Sequence, residues 1–224
     1  MSKKIFCSLF AIILIICSIT GCASTEITEQ ETTTVTETTT VKTDDVNFQI
    51  SYTKADSLNP FKSETLNNQT LSTLVYDSLF KIDDSFKVEA QIATDYEYKD
   101  SKTLLVNLQN GLKFSDGSNL TAGDVVYSFE KAKDSTAYSG NLKGISSASK
   151  VDDYTVSFKL EYANPYAQNL LTFPIVLYGE ADDNEFVIGS GRYKFKEKDN
   201  NEIVLVVNKY YNSFSPHFTT IHLV

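Results

Sequence analysis

One stretch, residues 110–133, constrains the fold more than any other. Asn110-Gly111 and Asp116-Gly117 are turn dipeptides, because Asn and Asp tolerate left-handed backbone and Gly has no Cβ to clash. Thr121 is a good helix N-cap. Asp124, three residues on, completes a capping box and puts a negative charge in the first turn, where the helix dipole favours it. Val125, Val126, Phe129 and Ala132 then make an apolar stripe at helical spacing. The stretch therefore reads as strand end, turn, short strand, turn and capped helix. It carries no nucleophile–base pair and no metal-ligand spacing, so its information is about structure.

The flanking sequence supplies further elements. Val46, Phe48, Ile50 and Tyr52 alternate and predict a half-buried first strand. Pro60 forces Asn59 extended. Ser63 is placed to cap a helix with Glu64 in its first turn and Leu71, Leu74, Val75 and Leu79 on one face. Residues 94–98 and the alternating Leu104, Val106 and Leu108 predict a hairpin, and 134–144 a polar loop. Tyr154, Val156, Phe158 and Leu160 belong to a second hairpin over 145–160. Asn164-Pro165 opens a short helix that Pro174 ends, and 175–178 reads as a strand. A third hairpin pairs 193–196 with 203–207 through a turn at 198–201, and 219–224 is a last strand. The fold class is mixed α/β. The chain stops inside that apolar strand, so missing sequence and several strands without partners are expected.

Residues 1–21 have the form of a secretory signal: Lys3 and Lys4 precede an apolar run over 5–16 that is short of the about 20 residues a membrane span needs. Ile19-Thr20-Gly21-Cys22 follows the pattern of a bacterial lipobox, which implies cleavage before Cys22 and lipid on its sulfur. Cys7 and Cys17 leave with the signal, so the mature chain keeps one cysteine and forms no internal disulfide. Residues 22–45 read as the lipidated Cys and a disordered Thr/Glu-rich tether. They have too little apolar surface to offset ordering entropy, and as a flexible coil they reach roughly 25–30 Å. The folded part works just outside the membrane, on the extracytoplasmic face, with the bilayer as a partner through Cys22.

Charge and residue types narrow the chemistry. The net charge is −9, and without Lys3 and Lys4 it is −11, from 18 basic and 29 acidic residues. Nucleic acid is excluded as a partner, since no basic patch exists to neutralise phosphates. Arg192 is the only arginine. Gly189-Ser190-Gly191 is not the Gly-x-Ser-x-Gly of a nucleophile elbow. His217 and His222 fall in the terminal strand, where Ile221 and Leu223 alternate, and do not suit a metal pair. The Asp-Asp pairs lack calcium-loop spacing. No catalytic residue, metal ligand or cofactor is expected, and the chain is not read as an enzyme.

Five segments then match one pattern in order. They are Ser57-Leu58-Asn59-Pro60; Leu74-Val75-Tyr76-Asp77-Ser78-Leu79; residues 91–97; the long run 108–128; and Gly189-Ser190-Gly191-Arg192-Tyr193-Lys194-Phe195, with Asn208-Lys209-Tyr210-Tyr211 as an echo. Together they resemble the extracellular solute-binding proteins of family 5, the peptide-, oligopeptide- and nickel-binding components of ABC importers. Tyr96 and Tyr211 stand where the family has Trp, and Arg192 where it has Pro. The resemblance implies a type II periplasmic-binding-protein-like fold. Residues 46–224 would be a partial solute-binding domain, the first lobe of a two-lobe protein, truncated before most of the second lobe.

In the family two lobes close on a solute, an oligopeptide or similar small molecule, and dock on ABC permease subunits. Position in the motif order makes Ser63, Glu64, Thr65 and Tyr76 candidate ligand contacts. Ser63 reads equally as a plain cap and Tyr76 as a core tyrosine. Residues 46–224 alone are expected not to close around a solute. A truncated remnant and a surface scaffold lipoprotein, both without transport activity, are the alternatives.

Overall fold

The strongest alternations fold as the sequence implies. The computed structural model describes residues 48–197, 201–212 and 214–224. In chain order the elements are β1 (Phe48–Ile50), α1 (Leu66–Ser72), β2 (Phe80–Ile82), β3 (Val88–Ala90), β4 (Ala93–Asp100), β5 (Thr103–Leu108), α2 (Ala122–Asp134), α3 (Ser139–Leu142), β6 (Ile145–Asp152), β7 (Thr155–Leu160), a 3-10 turn (Ala167–Leu170), β8 (Tyr193–Glu197), β9 (Ile203–Val207) and β10 (Thr220–Leu223).

Two four-stranded sheets result, ordered β4-β5-β7-β6 and β1-β10-β9-β8, with β2 and β3 as a separate hairpin. The first sheet is antiparallel. Leu104 opposes Tyr98 and Phe158, and Val106 opposes Tyr96 and Val156. One face therefore gathers Leu104, Val106, Val156 and Phe158, all fully buried. α2 covers this sheet with Phe129, whose ring meets Phe158 edge-on at 5.7 Å and Phe173 at 6.0 Å. The capping box is present: the Asp124 carboxylate accepts the Thr121 amide and hydroxyl, both at 2.8 Å. In the second sheet β1 runs parallel to β10, and the other pairs are antiparallel. Phe48 stacks on Phe218 at 4.2 Å. Ile221 and Leu223 are buried as their alternation implies, and His222, on the opposite face, contacts Glu202 through Nδ1.

Elsewhere tertiary contacts override the local pattern. α1 starts at Leu66, its N-cap is Thr65, and its first turn carries no acid; Ser63 does not cap it and Glu64 precedes it. The cause is Asp56. Its carboxylate accepts the amides of Glu64 and Thr65 at 3.0 and 2.9 Å, and the hydroxyls of Ser63 and Thr65 at 2.9 and 2.6 Å. The helix also ends early, and Leu79 packs from an extended segment.

Within 134–144 the expected loop contains α3. The expected helix at 164–174 is one 3-10 turn. Residues 175–178 form no strand: their amides go to Asp77 O, Ser128 Oγ, Ile188 O and an Asp124 carboxylate oxygen, at 2.9–3.1 Å. Every described strand has a hydrogen-bonded neighbour, against the expectation of unpartnered strands. Val46 and the turn at 198–200 lie outside the described residues.

The sheets are tied together where residues 189–193 cross residues 74–76. The Gly191 amide donates to Val75 O at 2.8 Å, and the Tyr193 amide to Leu74 O at 2.9 Å. From the other side the Ser115 amide donates to Gly189 O at 2.9 Å. The crossing leaves no room for side chains: a Cβ on Gly189 would sit 2.3 Å from Val75 O, and one on Gly191 2.5 Å from Val75 C. Gly117 is constrained differently, by its φ of +101, while a Cβ there would meet the movable end of the Tyr210 side chain at 2.8 Å.

Gly191→Ala should therefore cost about 2–4 kcal/mol, because backbone has to move. Gly140→Ala, in open space on α3, should change stability by less than about 1 kcal/mol. Urea unfolding of the two variants beside the parent checks this. Equal midpoints for parent and Gly191→Ala would refute the account.

Candidate functional site

Against this crossing the fold leaves a cleft of about 480 Å³. Its walls come from α1 through Gln69 and Ser72, from β2 through Lys81, and from Tyr138, Thr172 and Arg192. The volume is in the range of small-molecule sites. Each wall is placed by a local feature: α1 by the Asp56 anchor, β2 by its pairing with β3, and Arg192 by the glycine crossing. A second, smaller cavity of about 300 Å³ lies beside it, lined by Asp77, Gln109, Lys113, Ser190 and Tyr211 among others; Gln91 borders both.

Between the two sits a buried polar group. Gln91 Nε2 donates to Asp77 Oδ1 at 2.5 Å, while Gln91 Oε1 accepts the Ser78 amide and hydroxyl, each at 3.1 Å. Burial pushes the Asp77 carboxyl up to about 7, against the opposing pull of Arg192 and Lys81. The Arg192 guanidinium lies over the Tyr211 and Phe214 rings, 6.0 and 5.6 Å from their centroids. Ser190 Oγ is buried and has no hydrogen-bond partner. Among the described residues no base is hydrogen-bonded to it, as activation of a serine would require. Among the described residues, no group of three or more His, Cys, Asp or Glu is placed to hold a metal ion. The arrangement offers hydrogen bonds and charge to a bound molecule.

The sequence-derived candidates separate into two places. Ser63, Glu64 and Thr65 gather around Asp56 just before α1. Partial burial opposes ionisation of Asp56, but the hydrogen bonds from Thr65, Glu64 and Ser63 outweigh it and hold the carboxyl well below the usual range. The Ser63 side chain is buried and Glu64 is exposed. Tyr76 lies in the cleft wall, 4% exposed, and its hydroxyl donates to Val187 O at 3.1 Å. Burial, with the Glu185 charge adding to it, raises its hydroxyl pKa far above the ordinary value. Cys22 lies outside the described residues. Sequence reasoning missed Asp56, Asp77, Gln91 and Tyr138. The one available signal for the site was Arg192, as the only arginine in the chain.

Asp77 gives a pH dependence with a definite sign. Burial holds its folded-state pKa, about 7, above the ordinary carboxyl value of 3.8. Its contribution to stability is therefore full below about pH 4 and is lost as pH rises through 7. Asp77→Asn cannot ionise. The variant should match the parent near pH 3.5 and exceed it at pH 8 by on the order of 2–4 kcal/mol. Thermal melts of both proteins across that range check this. A gap that does not change with pH would refute it.

Comparison with known proteins places the fold. The family profile described as bacterial extracellular solute-binding proteins, family 5 Middle, matches residues 87–224. Oligopeptide-binding protein AppA of Bacillus subtilis is 32% identical over 170 residues, which cover 67% of this chain and 31% of AppA. Nickel-binding protein NikA of Staphylococcus aureus is 29% identical over 54% of this chain and 25% of its own. The solved structure of B. subtilis AppA with a nonapeptide superimposes with a TM-score of 0.66 at 27% identity, over 79% of this chain and 39% of AppA. The chain thus spans about a third of AppA's length. Its mixed α/β fold is that of type II periplasmic binding proteins. The matched family is one of solute-binding proteins and not of enzymes. Because the match runs over more than half of the sequence, the chain belongs to the bacterial extracellular solute-binding proteins of family 5.

Proposed function

We propose that this chain is the amino-terminal portion of a membrane-anchored substrate-binding component of an ABC importer, with oligopeptides as its solutes. The observation that carries the reading is the likeness to AppA, an oligopeptide-binding protein, over 67% of the chain. The cleft agrees with it: amide and hydroxyl side chains line a space of about 480 Å³ beside the candidate Tyr76. In this reading Ser63, Glu64 and Thr65 contribute the exposed Glu64 carboxylate and the main chain of the segment that Asp56 fixes. Tyr76 contributes its ring, since its hydroxyl is committed to Val187 O. The partners are the permease subunits in the membrane.

The same proposal divides the chain into a signal (1–21), a lipidated Cys22 with its tether (22–45) and a partial binding domain (46–224). Among the described residues no helix is long and apolar enough to cross a membrane. Multiple acyl chains on Cys22 would hold the protein at the extracytoplasmic face of the cell membrane.

Deleting the coding sequence in its own bacterium should lower uptake of a radiolabelled oligopeptide pool severalfold. Replacing it with Cys22→Ala should abolish palmitate labelling and release the protein from membranes. Unchanged peptide uptake, or a deletion that lowers only nickel uptake, would overturn the solute assignment. Palmitate labelling that persists in Cys22→Ala would overturn the anchor.

A further inference from the structure

The cleft has a charge of its own, opposite to that of the chain. The protein carries 29 acidic against 20 basic residues, yet the charged side chains lining the cleft are Lys81 and Arg192, both basic. The nearest acids do little to cancel them. Asp77 is buried and takes the Gln91 amide, and burial disfavours its charged form. Glu89 pairs with Lys81 at 2.9 Å, but both side chains are half exposed, and such a pair is weak. Among the described residues Arg192 makes no ion pair.

Arg192 is also held in place. Its guanidinium lies over Tyr211 and Phe214, and Phe214 is braced edge-on by Tyr193 at 5.6 Å and by Tyr211 at 5.9 Å. At its base, Gly191 is locked to Val75 O, and Asn208 Nδ2 donates to Gly191 O at 2.8 Å. The two rings and the Tyr211 hydroxyl hold the guanidinium at the cleft, and of its five N–H donors those not taken by Tyr211 can meet a planar acceptor. Tyr138 and Thr172 also line the cleft, and their hydroxyls can donate to a bound oxyanion; the hydroxyls of Ser72 and Thr73 are already given to Gln69 O and Thr70 O.

We propose that Arg192, with Lys81 beside it, forms a carboxylate-binding subsite in this cleft, and that it biases the protein toward solutes bearing a free carboxylate. The inference rests on the solute-binding reading above but names a residue and a chemical class that reading leaves open. The ligand group is a carboxylate from an acidic side chain or a peptide C-terminus. Arg192 donates to it through two N–H groups, and Lys81 adds long-range attraction. The remainder of the solute lies along Tyr138 and Thr172.

The single arginine makes the test direct. In the chain labelled with ¹⁵N-arginine, Arg192 gives one Nε–Hε NMR signal. Three probes are titrated at low salt: N-acetyl-glutamate amide, with only its side-chain carboxylate, N-acetyl-glutamate, with two carboxylates, and N-acetyl-glutamine amide, with none. The expected result is a saturable shift of the Arg192 signal with both carboxylate probes. The neutral amide should bind at least about tenfold more weakly, and 300 mM salt should weaken the carboxylate probes several-fold. In Arg192→Gln, the backbone signals of Thr73 and Tyr138 should no longer respond to N-acetyl-glutamate amide, and Arg192→Lys should restore a weaker response. An Arg192 signal that stays still, or that moves equally with the neutral amide, would overturn the subsite. The oligopeptide uptake experiment reads the importer assignment separately, so loss of the subsite leaves that assignment standing. A response to N-acetyl-glutamate alone would place the subsite's preference on two carboxylates and overturn the single-carboxylate form stated here.

Discussion

The structure depends on the place where two glycines lie flat against the backbone of Val75. Gly189 and Gly191 approach so closely that a Cβ on either would stand 2.3–2.5 Å from Val75 main-chain atoms. That approach lets the Gly191 and Tyr193 amides reach Val75 O and Leu74 O, and it points Gly189 O at the Ser115 amide. One short segment thereby connects the start of β8, the turn after β5 and the segment after α1. The cleft walls belong to these same elements. A change at the crossing would be felt in the position of Arg192, which follows Gly191 in the chain, and of Tyr76 and Asp77, which are far from it in sequence.

Much of this was legible because it is local. The turns at Asn110-Gly111 and Asp116-Gly117, the Thr121–Asp124 cap and the alternation in β5, β7 and β10 need only a few consecutive residues to specify them, and all are found. What failed was non-local. Ser63 looked like a cap because nothing in its immediate sequence announces that Asp56, seven residues earlier, takes its hydroxyl. Residues 175–178 looked like a strand because Ile, Val and Leu run together. In the fold their apolar side chains are largely buried while their amides find four different partners, one of them an Asp124 oxygen 54 residues away. Backbone satisfaction is obligatory in a buried segment, but a ladder is only one way of achieving it. The site was less legible still, since Asp77, Gln91 and Tyr138 meet only after the chain has folded.

Three aspartates show how the fold separates structure from binding. Asp56 accepts four hydrogen bonds from residues 63–65 and fixes the entry to α1. Asp124 accepts two from Thr121 and one from Tyr178, joining the α2 cap to a distant segment. Both carboxylates act as fixed parts of the frame, and at Asp56 the donors stabilise the ionised form. Asp77 has a different environment. The donor that reaches it is the Gln91 amide, and burial dominates. A carboxylate with few donors in a buried place tends to shed its charge.

That difference gives the cleft its character. Were Asp77 supplied with donors like Asp56, it would remain fully charged and would neutralise Arg192 from behind. Because burial instead disfavours its charged form, the positive charges of Arg192 and Lys81 are less compensated at the cleft. A cleft with walls of low polarisability concentrates such a field and raises the local concentration of anions, even when the net charge of the molecule is negative. The cation–π contacts of Arg192 with Tyr211 and Phe214 then matter for geometry more than for stability. They hold the guanidinium where a carboxylate can be met by two N–H groups at once, so less rotamer entropy is lost on binding.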